Sequence, residues 1–244
     1  MQVKDKSNIL YGKKLVVCGD SFTQGDFTGF VDENGLQGKD SPVIFDPKRQ
    51  MYKTYPWWIA ERNDMELVNE ALCGSTMALS KAHLADPEHV DISDRSPFAL
   101  ERYKKVPLDA DYILLQFGLN DMHNTHLGSI DDETNETFFG GFNVVFEYFL
   151  THIPYAKIGT VISNSGLNES YRQAIIAVSK KWGIPYLDLA GDDAIQATLK
   201  KNGMCEKAIE LRNKVYHVSQ KNMHPNLMGH KMISTAYEAF LRRI

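Results

Sequence analysis

A serine and a histidine near opposite ends of the chain have the residue types of a nucleophile and its base. Ser21 lies in GDSFTQG, directly after an apolar run at residues 15–17, and His224 lies in NMHPNLMGH. A serine hydroxyl is a weak nucleophile until a base takes its proton, and histidine is the usual base near neutral pH. Serine after a strand is more often a turn or capping residue, so the assignment depends on what accompanies the pair.

Two further stretches contain residues that could stabilise a negatively charged intermediate. Gly74 lies in NEALCGSTM, and Asn120 lies in FGLND. The tetrahedral intermediate of acyl transfer carries an oxyanion, which needs two or three fixed hydrogen-bond donors. The backbone N–H groups of Ser21 and Gly74 and the side-chain amide of Asn120 are candidates for these donors. Taken singly, Gly74 fits a turn, and Asn120 fits a helix cap equally well.

Apolar runs of strand length alternate with helical patterns along the chain. The predicted strands are residues 14–18, 65–71, 111–118, 156–163 and 184–190, and the predicted helices are residues 55–63, 136–153, 168–183 and 226–244. The run at 111–118 is continuous, as expected of a strand buried on both faces of a parallel sheet. Such alternation predicts a parallel sheet covered by helices on both faces, with ligands bound beyond the carboxyl ends of the strands.

The length of 244 residues predicts a single α/β domain over residues 1–244. Residues 27–54 interrupt the strand–helix rhythm and are rich in Gly, Asp and Pro. A loop of that length in a compact domain is usually a lid or a binding loop, so we interpret it as a loop insertion.

Composition excludes several classes of protein. The net charge of −4 lacks the basic excess of a nucleic-acid or membrane-surface protein. No stretch approaches the roughly 18 consecutive apolar residues of a membrane span. The first residues are polar and lack the apolar segment of a secretory signal, which predicts a cytoplasmic protein; a secreted protein trimmed of its signal would look the same. The cysteines number three, without a CxxC pair, so free thiols are expected.

The order and spacing of these stretches resemble the SGNH hydrolases, also called GDSL-type esterases and lipases. The resemblance rests on GDSFTQG, the glycine of NEALCGST, GLND and HPNLMGH, which together frame nearly the whole chain. It implies a flavodoxin-like three-layer α/β/α sandwich with a five-stranded parallel sheet. It also implies Ser21 as nucleophile, His224 as base, and an oxyanion hole of Ser21, Gly74 and Asn120. No metal or organic cofactor is required.

One position departs from the family pattern. The family usually has Asp three residues before the catalytic His, where this chain has Lys221. Lysine cannot accept the imidazole N–H. We favour a Ser–His dyad in which a backbone carbonyl orients His224, with Asn222 as a residue that could also orient the loop. A carboxylate from elsewhere, Asp192 or Asp193 after the fifth strand, is an alternative third member of the triad. A weakened or inactive site is the other alternative.

The leading functional hypothesis is a serine esterase that removes a short acyl group, such as acetyl, from a carbohydrate. The preference for sugars rests on residues 27–54 and on an aromatic cluster that could stack on sugars: Tyr52, Tyr55, Trp57 and Trp58. These tryptophans fit a core-facing helix at least as well. A lysophospholipase or thioesterase is the alternative within the same family, since the sequence does not define the acyl chain length.

Hypotheses from other classes of protein compete with the esterase. Lys221 favours a non-catalytic binding module on the same scaffold. A flavodoxin-like flavin or nucleotide binder is disfavoured because the first strand–helix turn, GDSFTQG, is not a glycine-rich phosphate loop. His123 and His126 near the predicted site suggest a metal, but they lack carboxylate or cysteine partners at regular ligand spacing. The oligomeric state is not encoded in any of these features.

Overall fold

Five parallel strands form the central sheet of the computed structural model, which describes residues 7–88, 96–163, 166–191 and 203–244. The strands in chain order are β1 (Lys14–Gly19), β2 (Phe45–Asp46), β3 (Met51–Tyr52), β4 (Glu66–Asn69), β5 (Tyr112–Gln116), β6 (Lys157–Ile162) and β7 (Tyr186–Asp188). The helices are α1 (Ser21–Gln24), α2 (Tyr55–Asn63), α3 (Lys81–Ala85), α4 (Asp121–Asn124), α5 (Phe138–His152), α6 (Glu169–Trp182), α7 (Glu206–Tyr216) and α8 (Leu227–Leu241).

The spatial order of the sheet is β4–β1–β5–β6–β7. Counted along the chain as the five strands of this sheet, that order is 2-1-3-4-5, the flavodoxin-like order of doubly wound folds. Successive strands are added on one side of β1 at β4 and on its other side from β5 onward, so the strand order reverses at β1. Ligands of such sheets bind at this switch point, beyond the carboxyl ends of the strands. The predicted fold class is therefore confirmed.

Alternate residues of the central strands enter two separate cores. Val16 and Cys18 of β1 pack with α5 and α6, while Leu15 and Val17 pack with α2 and α8. Residues 15–18 of β1 are therefore buried on both faces of the sheet, which favours a succession of apolar side chains. This explains the continuous apolar runs of the sequence and gives the three layers of the sandwich.

The four predicted helices are confirmed, with ends that differ by a few residues. The sequence did not predict α7, none of whose residues is buried, because a helix without a buried apolar face has a weak periodic signal. The short helices α1, α3 and α4 were also missed. None of the helices among the described residues has both the length and the apolar character needed to cross a membrane.

The segment at residues 27–54 is held together by its own polar contacts. The Asp32 carboxylate accepts hydrogen bonds from the N–H groups of Asn34 and Leu36, both at 2.9 Å, and from the Ser41 hydroxyl at 2.7 Å. Further along, β2 and β3 form a two-stranded antiparallel hairpin. The segment thus has a defined conformation beside the carboxyl end of β1.

Packing between β6 and α8 leaves no room for a methyl group at Gly159. A Cβ there would lie 2.6 Å from Cε1 of Phe240 and 3.3 Å from Cδ2 of Leu114.

We expect Gly159→Ala to lower the free energy of unfolding by about 1–3 kcal/mol through overpacking, measured by urea denaturation. Tyr155→Ala is the control, because Tyr155 is 97% exposed and its loss should cost less than about 0.5 kcal/mol. Equal stability of Gly159→Ala and wild type would contradict the tight packing.

Candidate active site

The turn after β1 presents Ser21 at the edge of the sheet. Asp20 caps the short helix α1, since its side chain accepts the N–H of Phe22 at 2.9 Å. A Cβ at Gly19 would lie 2.9 Å from the carbonyl oxygen of Gln116 on the neighbouring strand. Glycine is therefore required for the close approach of β1 and β5, and aspartate for the sharp turn into α1. Together they account for the local sequence before Ser21.

His224 is brought to Ser21 by a closed loop between α7 and α8. The Val218 N–H donates to the carbonyl of His224 at 2.9 Å, and the Asn226 N–H donates to the carbonyl of Tyr216 at 2.7 Å. The loop thus holds His224 so that its Nε2 lies 2.7 Å from Ser21 Oγ. This is the contact predicted from the sequence for a nucleophile and its base.

The other ring nitrogen of His224 contacts a side-chain amide. Asn222 Oδ1 lies 2.7 Å from His224 Nδ1 and 3.0 Å from the backbone nitrogen of His224. The amide NH₂ of Asn222 faces acceptors only: the carbonyl of Asp26 at 3.3 Å, the carboxylate of Asp26 at 3.1 Å and the carbonyl of Thr28 at 3.0 Å.

These contacts determine the tautomer of His224. The backbone N–H of His224 can only donate, so the Asn222 atom beside it must be the oxygen. That oxygen can only accept, so Nδ1 of His224 carries the proton. The second nitrogen, Nε2, is then unprotonated and accepts the hydrogen bond from the Ser21 hydroxyl.

The electrostatic surroundings keep His224 neutral near neutral pH. Burial of the ring lowers the pKa of His224 below the ordinary histidine value, and the Asp26 carboxylate, 3.8 Å from Nδ1, opposes part of that shift. Burial raises the pKa of Asp26, but hydrogen bonds from Thr28, together with His224 and Asn222, outweigh burial and hold it below its ordinary value. Asp26 is therefore ionised when His224 is neutral.

The two other predicted oxyanion donors lie on loops after β4 and β5. Asn120 precedes α4, and one hydrogen of its amide donates to the carbonyl of Ser75 at 3.0 Å, which leaves the second hydrogen available. Gly74 has a backbone φ of +78°, a conformation that favours glycine. Asn120 lines the same cleft as Ser21 and His224. Gly74 is not among the lining residues, although its neighbour Ser75 is tied to Asn120.

Asp121 joins the two loops that carry these donors. One oxygen of its fully buried carboxylate accepts the N–H groups of Met77 at 2.8 Å and Ala78 at 3.3 Å, and the other accepts the N–H of Gly118 at 3.1 Å. Burial raises the pKa of Asp121 to about 7, and these backbone donors work against that shift. Asn120 stands at the N-cap position of α4, but its side chain makes no capping hydrogen bond, and its neighbour Asp121 is the anchoring residue.

Several candidates from the sequence need correction. The group at His224 Nδ1 is the side-chain carbonyl of Asn222 rather than a backbone carbonyl. Asp192 and Asp193 lie outside the described residues. Lys221 is exposed at the rim of the cleft and does not take the place of the missing carboxylate. Asp26 was missed because no local pattern indicates a contact between residues 196 positions apart.

The predicted aromatic cluster does not form one surface. Tyr55 is fully buried and stacks on Tyr237 with 3.9 Å between ring centroids. Trp57 and Trp58 lie on α2, and the indole N–H of Trp57 donates to Asp46 at 2.7 Å. Only Tyr52 of the cluster lines a pocket next to the cleft, a space of about 560 Å³. A sugar platform built from all four residues is therefore wrong.

The cleft itself has a volume of about 790 Å³. It shares Asp26, Thr28 and Gly29 with the pocket that Tyr52 lines, so the two spaces adjoin. His123 lines the cleft, while His126 is exposed and pairs with Thr137 in an isolated β-bridge. Within the described ranges, no three His, Cys, Asp or Glu side chains are grouped so as to hold a metal ion.

Comparisons with known proteins bear on the fold. No protein-family profile matches the chain, and no curated protein matches it in sequence. A protein of known structure from Lactobacillus plantarum is 21% identical, with a TM-score of 0.64 over 96% of this chain and 98% of that one. A candidate GDSL-like lipase from Bacteroides ovatus is 19% identical, with a TM-score of 0.63 over 96% and 99% of the two chains.

A third similar structure is a family two carbohydrate esterase from Clostridium thermocellum in complex with cellohexaose. It is 15% identical, with a TM-score of 0.55, and the match covers 95% of this chain and 64% of that one. The chain therefore shares the fold of these solved structures, as the resemblance to the SGNH hydrolases implied.

The role of Asp121 leads to a prediction about stability. Asp121→Asn preserves the size of the side chain but replaces one accepting oxygen with an NH₂ group. In either orientation at least one backbone N–H of Met77 or Gly118 then faces a donor. We expect the free energy of unfolding to fall by about 1–3 kcal/mol, measured by urea denaturation.

The matched control for this prediction is Asp131→Asn. The Asp131 side chain is 86% exposed and lies 3.7 Å from Lys181, so its loss should change stability by less than about 0.5 kcal/mol. Similar stabilities of the two variants would contradict an anchoring role for Asp121.

Proposed function

We propose that the protein is a serine esterase in which Ser21 forms an acyl-enzyme and His224 is the general base. The observation that carries the proposal is the 2.7 Å contact between Ser21 Oγ and the unprotonated Nε2 of His224. A hydroxyl positioned against a neutral imidazole is the arrangement that serine acyl transfer requires.

The reaction follows from this arrangement. His224 Nε2 takes the hydroxyl proton as Ser21 Oγ attacks the ester carbonyl carbon. The resulting oxyanion accepts hydrogen bonds from the N–H groups of Ser21 and Gly74 and from the second amide hydrogen of Asn120. His224 then gives its proton to the leaving alcohol. In the second half, His224 takes a proton from water, the hydroxide attacks the acyl-enzyme, and His224 returns the proton to Ser21.

The surroundings of the cleft favour a short acyl group. Among the described residues the lining contains four large apolar side chains, and its other ten residues are polar, charged or glycine; the apolar ones are Phe22, Leu119, Met122 and Met223. A short acyl group needs only a small apolar contact, whereas a long chain needs a continuous apolar surface. This favours acetyl-type esters over the lysophospholipase or long-chain alternative.

The adjoining pocket favours a carbohydrate as the alcohol. Its lining combines aromatic rings with side-chain amides: Phe27, Phe30, Tyr52, Gln24 and Gln37. Sugars offer C–H faces to aromatic rings and hydroxyls to amides, so such a lining fits a sugar ring. The similar carbohydrate esterase solved with cellohexaose supports the same choice.

The binding-module alternative rested on Lys221. Because Asn222 supplies the acceptor at His224 Nδ1, Lys221 does not leave the imidazole without a partner. No other feature of the described residues favours a site without catalysis.

The proposal predicts that p-nitrophenyl acetate is hydrolysed and that a phosphonate ester labels Ser21 alone. Ser21→Ala and His224→Ala should each lower kcat by at least about 10³-fold, because nucleophile and base act as a unit. Steady-state assays and mass spectrometry of the labelled chain measure both effects.

The controls are Ser129→Ala and His152→Ala, exposed residues outside the lining of the cleft, which should retain wild-type activity. A wild type without turnover and without an adduct would rule out the esterase. Faster hydrolysis of the octanoate than of the acetate ester would rule out the short-acyl preference.

The lowered pKa of His224 predicts the pH dependence of the reaction. Only the neutral imidazole accepts the serine proton, and a base with a lowered pKa stays neutral to lower pH. The acidic limb of kcat/KM should therefore have its midpoint below the ordinary histidine value of about 6.5. A pH profile with p-nitrophenyl acetate measures it, and a midpoint above that value would contradict the effect of burial.

A further inference from the structure

We propose that Asp26 is a positioning residue that acts on His224 through the amide of Asn222, so that an amide and a carboxylate share the work of the usual triad aspartate. The catalytic consequence of this proposal rests on the proposed esterase function. The hydrogen-bonded arrangement itself does not, since it is a matter of contacts and charge.

A triad carboxylate has two separable effects on its histidine. It accepts the Nδ1 proton, which fixes the tautomer and the ring orientation, and its charge stabilises the imidazolium that forms during the reaction. Asn222 can do only the first of these, because its amide oxygen is an acceptor without a full charge. A neutral acceptor alone would leave the imidazolium without a counter-charge.

Asp26 supplies that charge from directly behind the amide. Its carboxylate accepts the NH₂ of Asn222 at 3.1 Å, and its other oxygen lies 3.8 Å from His224 Nδ1. An amide that donates to a carboxylate is polarised, which strengthens the acceptance of a hydrogen bond by its oxygen. The contact with His224 is therefore reinforced both through the amide and directly across space.

The carboxylate of Asp26 is fixed relative to the nucleophile. It lies five residues after Ser21, and its Oδ1 accepts the N–H of Thr28 at 2.9 Å. Asn222 spans Asp26 and Thr28 with one NH₂ group, so the loop that carries His224 is attached to the loop that follows Ser21. Nucleophile, base and charge are thereby held in one arrangement.

The other titratable groups around His224 do not duplicate this role. His217 on the same loop and His230 on α8 are buried, and burial together with His224 lowers the pKa of both, to about 3 in His230. With its pKa at about 3, His230 is neutral near neutral pH, and neither ring supplies the negative charge that an imidazolium needs. The other titratable side chains lining the cleft are basic, namely Lys221 and His123, and lie on its exposed surface. Asp26 is therefore the only acidic side chain lining the cleft among the described residues.

The test is an NMR titration of the full-length chain with ¹⁵N-labelled histidine. Asp26→Asn retains an oxygen that can accept from Asn222 but removes the charge. We expect the pKa of His224 to fall by about one unit in this variant, with Nδ1 still protonated in the neutral ring. Asp32→Asn is the matched control, a carboxylate six positions further along the chain that binds Asn34, Leu36 and Ser41, and it should leave the pKa of His224 unchanged.

Kinetics provide a second readout with a rescue. In Asp26→Asn the acidic limb of kcat/KM should move to lower pH by the same amount, and kcat should fall about tenfold with little change in KM. The exchange Asp26→Asn/Asn222→Asp puts the carboxylate directly on Nδ1 and the amide behind it. That double variant should raise the pKa of His224 above the value in Asp26→Asn and recover activity.

The outcomes separate this proposal from the esterase function. An unchanged or higher pKa of His224 in Asp26→Asn, or an equal shift in Asp32→Asn, overturns the role of Asp26. Because the titration does not need turnover, the expected shift in a chain without esterase activity would uphold the arrangement while the esterase proposal fails.

Discussion

The pairing of β1 between β4 and β5 is the constraint on which the rest of the structure depends. Parallel pairing sends the carboxyl ends of all three strands to the same edge, and the register sets Gly19 beside Gln116. The turns that follow these strands carry Ser21, Gly74 and Asn120. If β1 were at the edge of the sheet, the loops after β4 and β5 could not both adjoin the turn after β1. The flavodoxin-like order of strands is thus the physical reason for a site at this point.

Buried polar contacts convert this proximity into a defined geometry. Asp121 has no solvent to satisfy its carboxylate, so it takes the backbone N–H groups of two loops, and the loops are thereby joined. Asp20 is also buried, and its carboxylate accepts the backbone N–H of Phe22 at the start of α1. A buried acceptor that must be satisfied leaves the chain few alternative conformations. The rigidity of the candidate site therefore comes from its polar groups, while the two apolar cores provide most of the stability.

The approach of His224 depends on contacts of a different kind. Its loop contributes little to either core, and the loop is held by backbone hydrogen bonds at its base and by Asn222 at its tip. Asn222 is therefore both the attachment of the loop and the partner of the imidazole. Lysine is therefore tolerated at position 221. Its side chain lines the cleft, and the imidazole of His224 has its hydrogen-bond acceptor in Asn222 instead.

The sequence by itself determined the parts of this protein that depend on local pattern. Continuous apolar runs identified the central strands, because a strand between two cores must be apolar on both faces. Periodicity and caps identified the long helices, and the ordered set of Ser21, Gly74, Asn120 and His224 predicted the candidate site and the chemistry proposed for it. The sequence did not predict helix α7 or the short helices α1, α3 and α4, since none of them has a strong periodic signal.

Only the tertiary structure decided which group faces His224 Nδ1 and which aromatic rings are accessible. Tyr55 and Tyr52 are alike in a sequence, yet one stacks in the core and the other lines a pocket. Asp26 and Asn222 are 196 residues apart, and each by itself fits an ordinary turn. Their contact depends on how two loops meet across the end of a sheet, and that is a property of the packed chain, because local residue preferences carry no information about distances between remote segments.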